Sequence, residues 1–333
     1  DYTRAMENPA YADHSRLNRA LIRIRLGKFE SAAEDIEALR KIAANSSAVA
    51  FADGLLQFRQ GHFEAASQQF EAVLGKEPKH VSALLYGGIS AAKLGNIDRA
   101  VNYLRRYQAV APDNPQAMKL LAALELELDS GQGSVDRARG LALAALEQAP
   151  GNVYTLNILA DASLRSGDQD SALKYMKRAA EADPESAEVH SQLGLMLVEQ
   201  GSVDEGLQEL QKSIELDPAS VTANEGLVNY YLRAGDGAQA LESARALIER
   251  QPGSARAYAI LGMTHLVLKN NKEAEAAFQQ AKELDVNFVP AYNGLAILAV
   301  KNRDFAKAEE YYRIALGYSP EDLGAQMNLA RVK

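Results

Sequence analysis

Residues 200–221 read QGSVDEGLQELQKSIELDPASV. The chain repeats the pattern of this stretch at a fixed interval, which equals the distance in sequence from Pro184 to Pro218. Residues 166–187 read SGDQDSALKYMKRAAEADPESA, and residues 234–255 read AGDGAQALESARALIERQPGSA. Each stretch has a glycine, a small residue five positions later, and a proline twelve positions after that. Similarity at a fixed period of this length predicts a repeat architecture, because one such unit cannot bury its apolar face without stacked neighbours.

The prolines define the period along nearly the whole chain. Every step has the same length, except that the step from Pro112 to Pro150 is longer by four. The positions are Pro78, Pro112, Pro150, Pro184, Pro218, Pro252, Val286 in the proline slot, and Pro320. We therefore predict nine repeats, preceded by a leader or the remnant of an earlier repeat (1–12) and followed by the start of a further repeat or a capping helix (323–333). The nine repeats are 13–46, 47–80, 81–114, 115–152, 153–186, 187–220, 221–254, 255–288 and 289–322.

Two helices are predicted in each repeat. The first ends near a glycine, which adopts a left-handed backbone without a steric penalty, and a small residue early in the second lets the helices approach closely. The proline then ends the second helix, because it lacks an N–H group. The glycines are Gly27, Gly61, Gly95, Gly133, Gly167, Gly201 and Gly235, and the small residues are Ala66, Ala100, Ala138, Ala172, Gly206, Ala240, Ala274 and Ala308.

Three repeats depart from this pattern in the first helix or the turn. Lys269 and Arg303 replace the turn glycine in the last two repeats, so polar residues must form those turns. The fourth repeat has four extra residues near DSGQGS, at 129–134, which predict a longer first helix or a bulged turn.

Composition excludes several classes of function. The formal charge of −8 and the pI near 5.3 argue against non-specific binding of nucleic acid, which requires a basic face. The absence of cysteine excludes disulfides and thiolate metal sites. No apolar run approaches the roughly 20 residues of a membrane-spanning helix.

The five histidines are scattered, and His190 and His265 occupy positions that other repeats fill with packing residues. We find no catalytic, cofactor-binding or metal-binding motif, and we predict no enzyme activity.

The spacing of these residues resembles the tetratricopeptide repeat family. The family pattern recurs as Leu193-Gly194, Gly201, Gly206, Leu210 and Pro218, and again as Leu261-Gly262, Ala274, Phe278 and Ala281. The first repeat departs from it, with Arg19 where the family has leucine. The resemblance implies an all-α fold, an α-solenoid of about nine helix-turn-helix repeats forming a right-handed superhelix.

The first helix of each repeat has one side that is free of the predicted packing positions. When each repeat is numbered so that the proline is position 32, positions 4, 7, 8 and 11 face the packing side, and positions 2, 5, 9 and 13 point away from it. We call this second side the first-helix face. In the tetratricopeptide family it lines the inner groove in which partners lie, so the resemblance implies a binding site here for a protein or peptide segment.

The candidate residues on this face change character along the chain. In the first three repeats positions 5 and 9 are apolar, which predicts an exposed groove for an apolar or amphipathic segment: Leu17, Leu21, Phe51, Leu55, Leu85 and Ile89. An alternative is that Tyr2, Met6 and Tyr11 of the leader, or missing upstream repeats, cover this end. Polar candidates follow in repeats five, seven and nine, where a solvated helix surface is the alternative: Tyr154, Asn157, Asp161, Arg165, Glu225, Asn229, Arg233 and Asn293.

Position 13 also forms a basic row, broken by Glu127, Glu199 and Val267. Such a row could hold an acidic peptide or an anionic polymer. The helix dipole favours a cation in the last turn of any helix, so the row has a structural explanation as well. Its members are Arg25, Arg59, Lys93, Arg165, Arg233 and Lys301.

Three longer stretches resemble a narrower family. Residues 54–74, 103–128 and 260–300 are similar to the tetratricopeptide lipoproteins that accompany exosortase systems in Gram-negative bacteria. That resemblance implies a periplasmic or envelope-associated scaffold for exopolysaccharide production or PEP-CTERM protein sorting, with a possible lipid anchor on a cysteine that this sequence lacks. The alternatives are the substrate-recruiting arm of a larger enzyme, such as a glycosyltransferase, and a cytosolic peptide-binding regulator.

Overall fold

The computed structural model describes residues 12–128 and 131–332, and every regular element in these residues is an α-helix. The leader residues Tyr2, Met6 and Tyr11 lie outside the described residues. Contacts divide the chain into two compact bodies, 1–175 and 176–333, which we call the N-terminal and C-terminal bodies. Within each body the helices form hairpins, and consecutive helices contact one another. The fold is an all-helical α-solenoid of stacked repeats, which confirms the predicted fold class.

The described chain contains 19 helices, numbered here in chain order. The first helices of the repeats have odd numbers, and α19 follows the ninth hairpin: α1 Ala12–Arg25, α3 Ser47–Arg59, α5 Val81–Lys93, α7 Pro115–Glu127, α9 Val153–Arg165, α11 Ala187–Glu199, α13 Val221–Ala234, α15 Ala255–Val267, α17 Val289–Lys301 and α19 Leu323–Val332. The second helices have even numbers: α2 Phe29–Ile42, α4 Phe63–Lys76, α6 Ile97–Val110, α8 Gln132–Gln148, α10 Gln169–Ala182, α12 Val203–Leu216, α14 Gly237–Arg250, α16 Asn271–Leu284 and α18 Phe305–Tyr318.

Polar residues fix where most first helices begin. The side chains of Ser46, Asn152 and Ser220 accept hydrogen bonds from backbone N–H groups of the following turn, which have no partner within the helix. Prolines mark where the second helices end, since α4 stops at Lys76, two residues before Pro78. Side chains of four further residues accept the same kind of capping hydrogen bond at other first helices: His80, Asn114, Ser186 and Ser254. Helix starts and helix ends thus recur with the sequence period.

The turn inside each repeat requires a left-handed backbone. Seven glycines of the described chain have φ between +72° and +86°, and Lys269 and Arg303 take their place with φ of +64° and +60°. The prediction that these two residues form the turns of the last two repeats is therefore confirmed. The prediction of Gly133 as a turn glycine is wrong, because Gly131 has the left-handed backbone and Gly133 lies inside α8.

The fourth repeat accommodates its extra residues mainly in its second helix. Its first helix, α7, has 13 residues, the length of α5 and α9, so the predicted longer first helix is wrong. Its second helix, α8, has 17 residues where α6 has 14. The helix begins directly after Gly131, and the residues that follow include no proline that would interrupt it. Most of the added residues therefore form one more turn of helix.

Small residues allow close contact between the two helices of a repeat, as predicted. The alanines at this position, such as Ala66 and Ala240, are fully buried. Gly206 allows a very close approach, because a Cβ built there would lie 2.8 Å from the carbonyl oxygen of Gly194 and 2.8 Å from the backbone nitrogen of Val198. The two backbones therefore touch at a point where any side chain would collide.

Buried carboxylates bound by arginine are a feature that the sequence pattern did not predict. Glu125 has no exposed surface, and its carboxylate accepts hydrogen bonds from Arg105 at 2.6 Å and 2.7 Å and from Arg137 at 3.1 Å. Burial alone would raise the pKa of Glu125, but the hydrogen bonds and charges of the two arginines lower it below its ordinary value. Arg19, where the family pattern has leucine, binds the buried Asp35 at 2.9 Å. An ion pair thus replaces an apolar contact in the first repeat.

The left-handed turn residues lead to a first prediction. Replacing Lys269 with glycine should raise the free energy of unfolding of the C-terminal body by about 0.5–1 kcal/mol. A residue with a Cβ is strained at this φ by about 1–2 kcal/mol, and glycine removes that strain. Glycine also gives the unfolded chain more conformational entropy, which offsets part of the stabilisation. Urea unfolding followed by circular dichroism would measure the change. The reverse substitution, Gly235→Lys at φ +79°, is the matched control and should destabilise the same body. A lower midpoint for Lys269→Gly would contradict the strained turn.

Candidate protein-binding face

First helices of neighbouring repeats contact one another within each body. In the N-terminal body α1 contacts α3, and α3 contacts α5; in the C-terminal body α11, α13, α15 and α17 contact in succession. The first-helix faces of adjacent repeats therefore lie side by side on each body. A partner that crosses one of these surfaces meets the same helix position once in every repeat.

The six apolar candidates on α1, α3 and α5 are all half-buried. Leu17, Leu21 and Leu55 pack on the core formed by α1, α2 and α3, whereas Phe51 and Leu85 pack on the core around Phe70. Ile89, on α5, is also half-buried. The structure thus places part of each side chain in the interior and leaves part of it on the surface. They form an apolar floor rather than a set of protruding side chains.

Aromatic contacts hold the centre of this floor in place. The ring of Phe51 lies 4.9 Å from the ring of His80 and 6.0 Å from that of Phe70, between ring centroids. Phe58 contacts Tyr86 edge-on at 5.1 Å. These residues belong to the second and third repeats, so the rings fix the floor where the two repeats meet. Rings packed in this way lose little further freedom when a ligand binds.

The polar candidates of the N-terminal body lie on α9. Tyr154 is exposed, and the side-chain oxygen of Asn157 is buried without a hydrogen-bond partner. Arg165 donates one bond to Asp161 at 3.0 Å, the pair expected for positions one turn apart, and a second to the backbone carbonyl of Leu126 at 2.6 Å. Arg165 therefore links α9 to the end of α7.

The polar candidates of the C-terminal body make fewer contacts between themselves. Glu225 on α13 accepts a hydrogen bond from Arg256 of the next repeat at 2.9 Å, while Asn229 and Arg233 are exposed. Asn293 on α17 donates to Asp322 at 2.9 Å, and its own amide oxygen is buried without a partner.

Asp322 is held ionised by its position before α19. Its pKa is lowered first by the backbone N–H of Ala325 and then by the side chain of Asn293. Asn293 therefore helps to fix the start of the last described helix as well as facing the surface.

The cations at position 13 fall into two groups. Arg165 and Lys301 each donate to a carbonyl in the last turn of the preceding first helix, Lys301 to Leu266 at 3.3 Å. These two side chains have a structural role, because carbonyls at a helix end have no partner within the helix. The remaining cations of the row are exposed and form no ion pair with any described residue: Arg25, Arg59, Lys93 and Arg233.

His190 and His265 are packed as predicted. His190 is 2 % exposed, and its ring nitrogens contact the Glu209 carboxylate at 2.5 Å and the Pro184 carbonyl at 3.0 Å. His265 is also buried, and burial lowers its pKa, with a further contribution from Arg245. No three His, Cys, Asp or Glu side chains lie together as a metal site within 12–128 and 131–332. None of the described helices is both long and apolar enough to cross a membrane.

The stacked two-helix hairpins within each body define a helical-repeat protein. Two tetratricopeptide repeat models match the sequence, one at residues 159–221, 226–285 and 293–332 and the other at 57–124. Together these matches cover more than half of the chain. The chain belongs to the tetratricopeptide repeat family, whose members bind protein partners.

Individual relatives support the fold. Human interferon-induced protein with tetratricopeptide repeats 2 is 33 % identical over 128 residues, which are 37 % of this chain and 27 % of that protein. The chain thus spans about a quarter of the length of this curated relative. A tetratricopeptide repeat protein from Parabacteroides merdae ATCC 43184 is similar in structure, with a TM-score of 0.60 and 16 % identity over 76 % of this chain and 98 % of that one. The Cut9–Hcn1 hetero-tetramer of APC/C gives a TM-score of 0.50 and 17 % identity, covering 96 % of this chain and 63 % of its own.

Proposed function

We propose that this chain is a non-enzymatic scaffold that binds a segment of a partner protein on its first-helix face. The observation that carries the proposal is the row of six half-buried apolar side chains on α1, α3 and α5, defined above as the apolar floor. Five of the six pack on a core cluster, and all six are half-buried and still present apolar surface. Rigid apolar anchors on packed helices supply binding energy with little loss of conformational freedom.

The chemistry of the floor favours a partner with apolar side chains at helical spacing. Each first helix contributes positions 5 and 9, which are one turn apart, and neighbouring first helices lie about 8–10 Å apart. An amphipathic helix laid across such a surface can place one apolar side chain against each repeat. The polar candidates on α9, which belongs to the same body, would then contact the remainder of a longer segment.

The double substitution Leu55→Ser and Ile89→Ser should weaken binding by about tenfold or more, which corresponds to about 1.4 kcal/mol. Both side chains lose the apolar surface that a ligand would bury. Helical peptides selected from a displayed library against the wild-type chain would serve as ligands, with dissociation constants measured by fluorescence anisotropy.

The matched control is Leu143→Ser, which removes an exposed apolar side chain from α8, outside the first-helix face. It should leave the affinity of the selected peptides unchanged, and circular dichroism should show intact helicity in all variants. Equal affinity of the selected peptides for wild type and for the folded double variant would remove the first-helix face as the binding site.

The cellular setting is a finer proposal that rests on the resemblance of residues 54–74, 103–128 and 260–300 to exosortase-associated lipoproteins. We propose an envelope-associated scaffold in exopolysaccharide production or PEP-CTERM protein sorting, held at the membrane by lipid on the full-length gene product. Fractionation of the native cells with an antibody against this chain tests it. Recovery in the periplasmic or membrane fraction supports the proposal, and recovery in the cytosol favours a peptide-binding regulator instead.

A further inference from the structure

Charge is distributed unevenly along the chain. Repeats one to three, residues 13–114, contain 14 Lys and Arg against 11 Asp and Glu, whereas the whole chain contains 36 against 44. The first three repeats therefore have a net charge of +3 in a protein of net charge −8. Local excess of one sign attracts ligands of the opposite sign, even when the whole protein has the same sign as the ligand.

The excess positive charge reaches the first-helix face of these three repeats. Arg25, Arg59 and Lys93 occupy position 13 of α1, α3 and α5, and all three are exposed. The only acidic residues of the three helices are Asp13 and Asp53.

Neither acid neutralises this row. Asp53 is 4 % exposed and is bound by Arg40, while Asp13 lies at the opposite end of α1 beside Arg16. Arg25, Arg59 and Lys93 thus form a basic strip beside the apolar floor that has no acidic partner on α1, α3 or α5.

The helix dipole favours a cation at position 13 in every repeat, but a hydrogen bond to the preceding first helix holds this cation in two later repeats. Arg165 and Lys301 bind carbonyls of the preceding first helix, which accounts for their presence without a ligand. Arg59 and Lys93 have first helices before them and make no such bond in the described structure. These two cations are available to a ligand.

Position 13 lies one helical turn after position 9, about 6 Å along the helix axis. Each of the first three repeats therefore presents an apolar side chain and a cation as a pair, repeated every 8–10 Å or so across the stacked helices. The three pairs are Leu21 with Arg25, Leu55 with Arg59, and Ile89 with Lys93. Of the later repeats, the ninth alone has the same pair, Ile297 with Lys301, and there Lys301 is bound to the carbonyl of Leu266. The pairing with an unbound cation in consecutive repeats is therefore a feature of the first three.

We propose that α1, α3 and α5 bind an acidic amphipathic segment of a partner protein, with its apolar side chains on the apolar floor and its carboxylates on Arg25, Arg59 and Lys93. The inference rests on the proposed function and specifies the class of partner. Charge complementarity selects among amphipathic segments, because a basic segment would place like charges against the strip. A polyanion without apolar groups would leave the floor exposed to water.

A membrane surface fits the observations less well than a protein segment. Anionic lipid would match the charge of the strip, but apolar side chains must protrude to enter the acyl region. The six floor residues are half-buried, so they cannot reach into a bilayer. A helix with its own projecting side chains can instead reach down to the floor.

The test uses a displayed library of helical peptides with fixed leucines on one face and Glu, Gln or Lys randomised at the flanking positions. Peptides selected by the wild-type chain should be enriched in Glu, and their affinity should fall about tenfold or more against the double variant Arg59→Gln and Lys93→Gln. The matched control Lys28→Gln and Lys41→Gln removes two exposed charges from the first repeat outside the first-helix face. It should leave affinity unchanged.

Three outcomes would overturn the inference. Selected peptides with no Glu preference, still dependent on Leu55 and Ile89, would overturn the charge match while leaving the scaffold proposal in place. A library from which the wild-type chain selects no binder would overturn both. Binding to vesicles of phosphatidylglycerol and phosphatidylcholine that Arg59→Gln and Lys93→Gln abolish, without selection of peptides, would assign the strip to a membrane.

Discussion

The substitution Gly206→Leu should lower the free energy of unfolding of the C-terminal body by about 3 kcal/mol, at the upper end of the range for overpacked sites. A Cβ at this position would lie within 2.8 Å of backbone atoms of Gly194 and Val198. Backbone atoms cannot move aside as the end of a long side chain can. Helices α11 and α12 would therefore have to separate, and contacts along both would be lost.

Unfolding in urea, together with hydrogen exchange at α11 and α12, measures this effect. The matched control is Gly317→Leu, a helical glycine of the same body whose Cβ would meet no atom within 4 Å. That control should be neutral or slightly stabilising, because leucine has a higher helix propensity than glycine. A loss below about 0.5 kcal/mol for Gly206→Leu would contradict the close approach of the two helices, since changes of that size are typical of surface sites.

Replacing Phe278 with alanine should cost about 3–5 kcal/mol, the usual effect of removing a buried aromatic ring. Phe278 is 1 % exposed, and its ring fills the space beside Gly262 and Gly294 on the two neighbouring first helices. A Cβ built at Gly294 would lie 2.4 Å from the ring, so the glycine and the phenylalanine are matched in shape. The ring thus joins α16 to both α15 and α17.

A double-mutant cycle separates this shape match from general loss of packing. Gly294→Ala alone should destabilise the body because its methyl group collides with the ring. In the Phe278→Ala background the same change should stabilise it, because the methyl group enters vacated space and alanine favours a helix. Thermal unfolding of the four proteins gives the coupling energy. Effects that simply add would contradict the contact between this ring and Gly294.

The parts of the fold that the sequence predicted are those that recur locally. The turn at Lys269 and Arg303 was predictable because the period places each in a slot that is otherwise glycine. The fourth repeat was not predictable, because Gly131 and Gly133 are both compatible with the turn and the residues that follow are all compatible with a helix. The structure places the start of that helix directly after the left-handed Gly131.

The candidate site shows a similar division. Helical periodicity places Phe51 on the first-helix face, but its depth depends on His80 and Phe70, which lie in a turn and in a second helix. The buried Glu125 was missed because it occupies a packing position, where the pattern predicts an apolar residue. Its partner Arg105 is 20 residues away and belongs to another repeat. Periodicity describes one helix at a time, and both features arise between helices.

The bonds from Arg165 to Leu126 and from Lys301 to Leu266 have a mechanical consequence. Each works as a strut between one hairpin and the next, so a rotation of either hairpin stretches a charged hydrogen bond as well as an apolar contact. Two hairpins linked in this way resist rotation against each other more than apolar packing alone would allow. The angle between the two linked hairpins is therefore fixed before a partner binds. A partner whose side chains have a different spacing would have to change its own conformation.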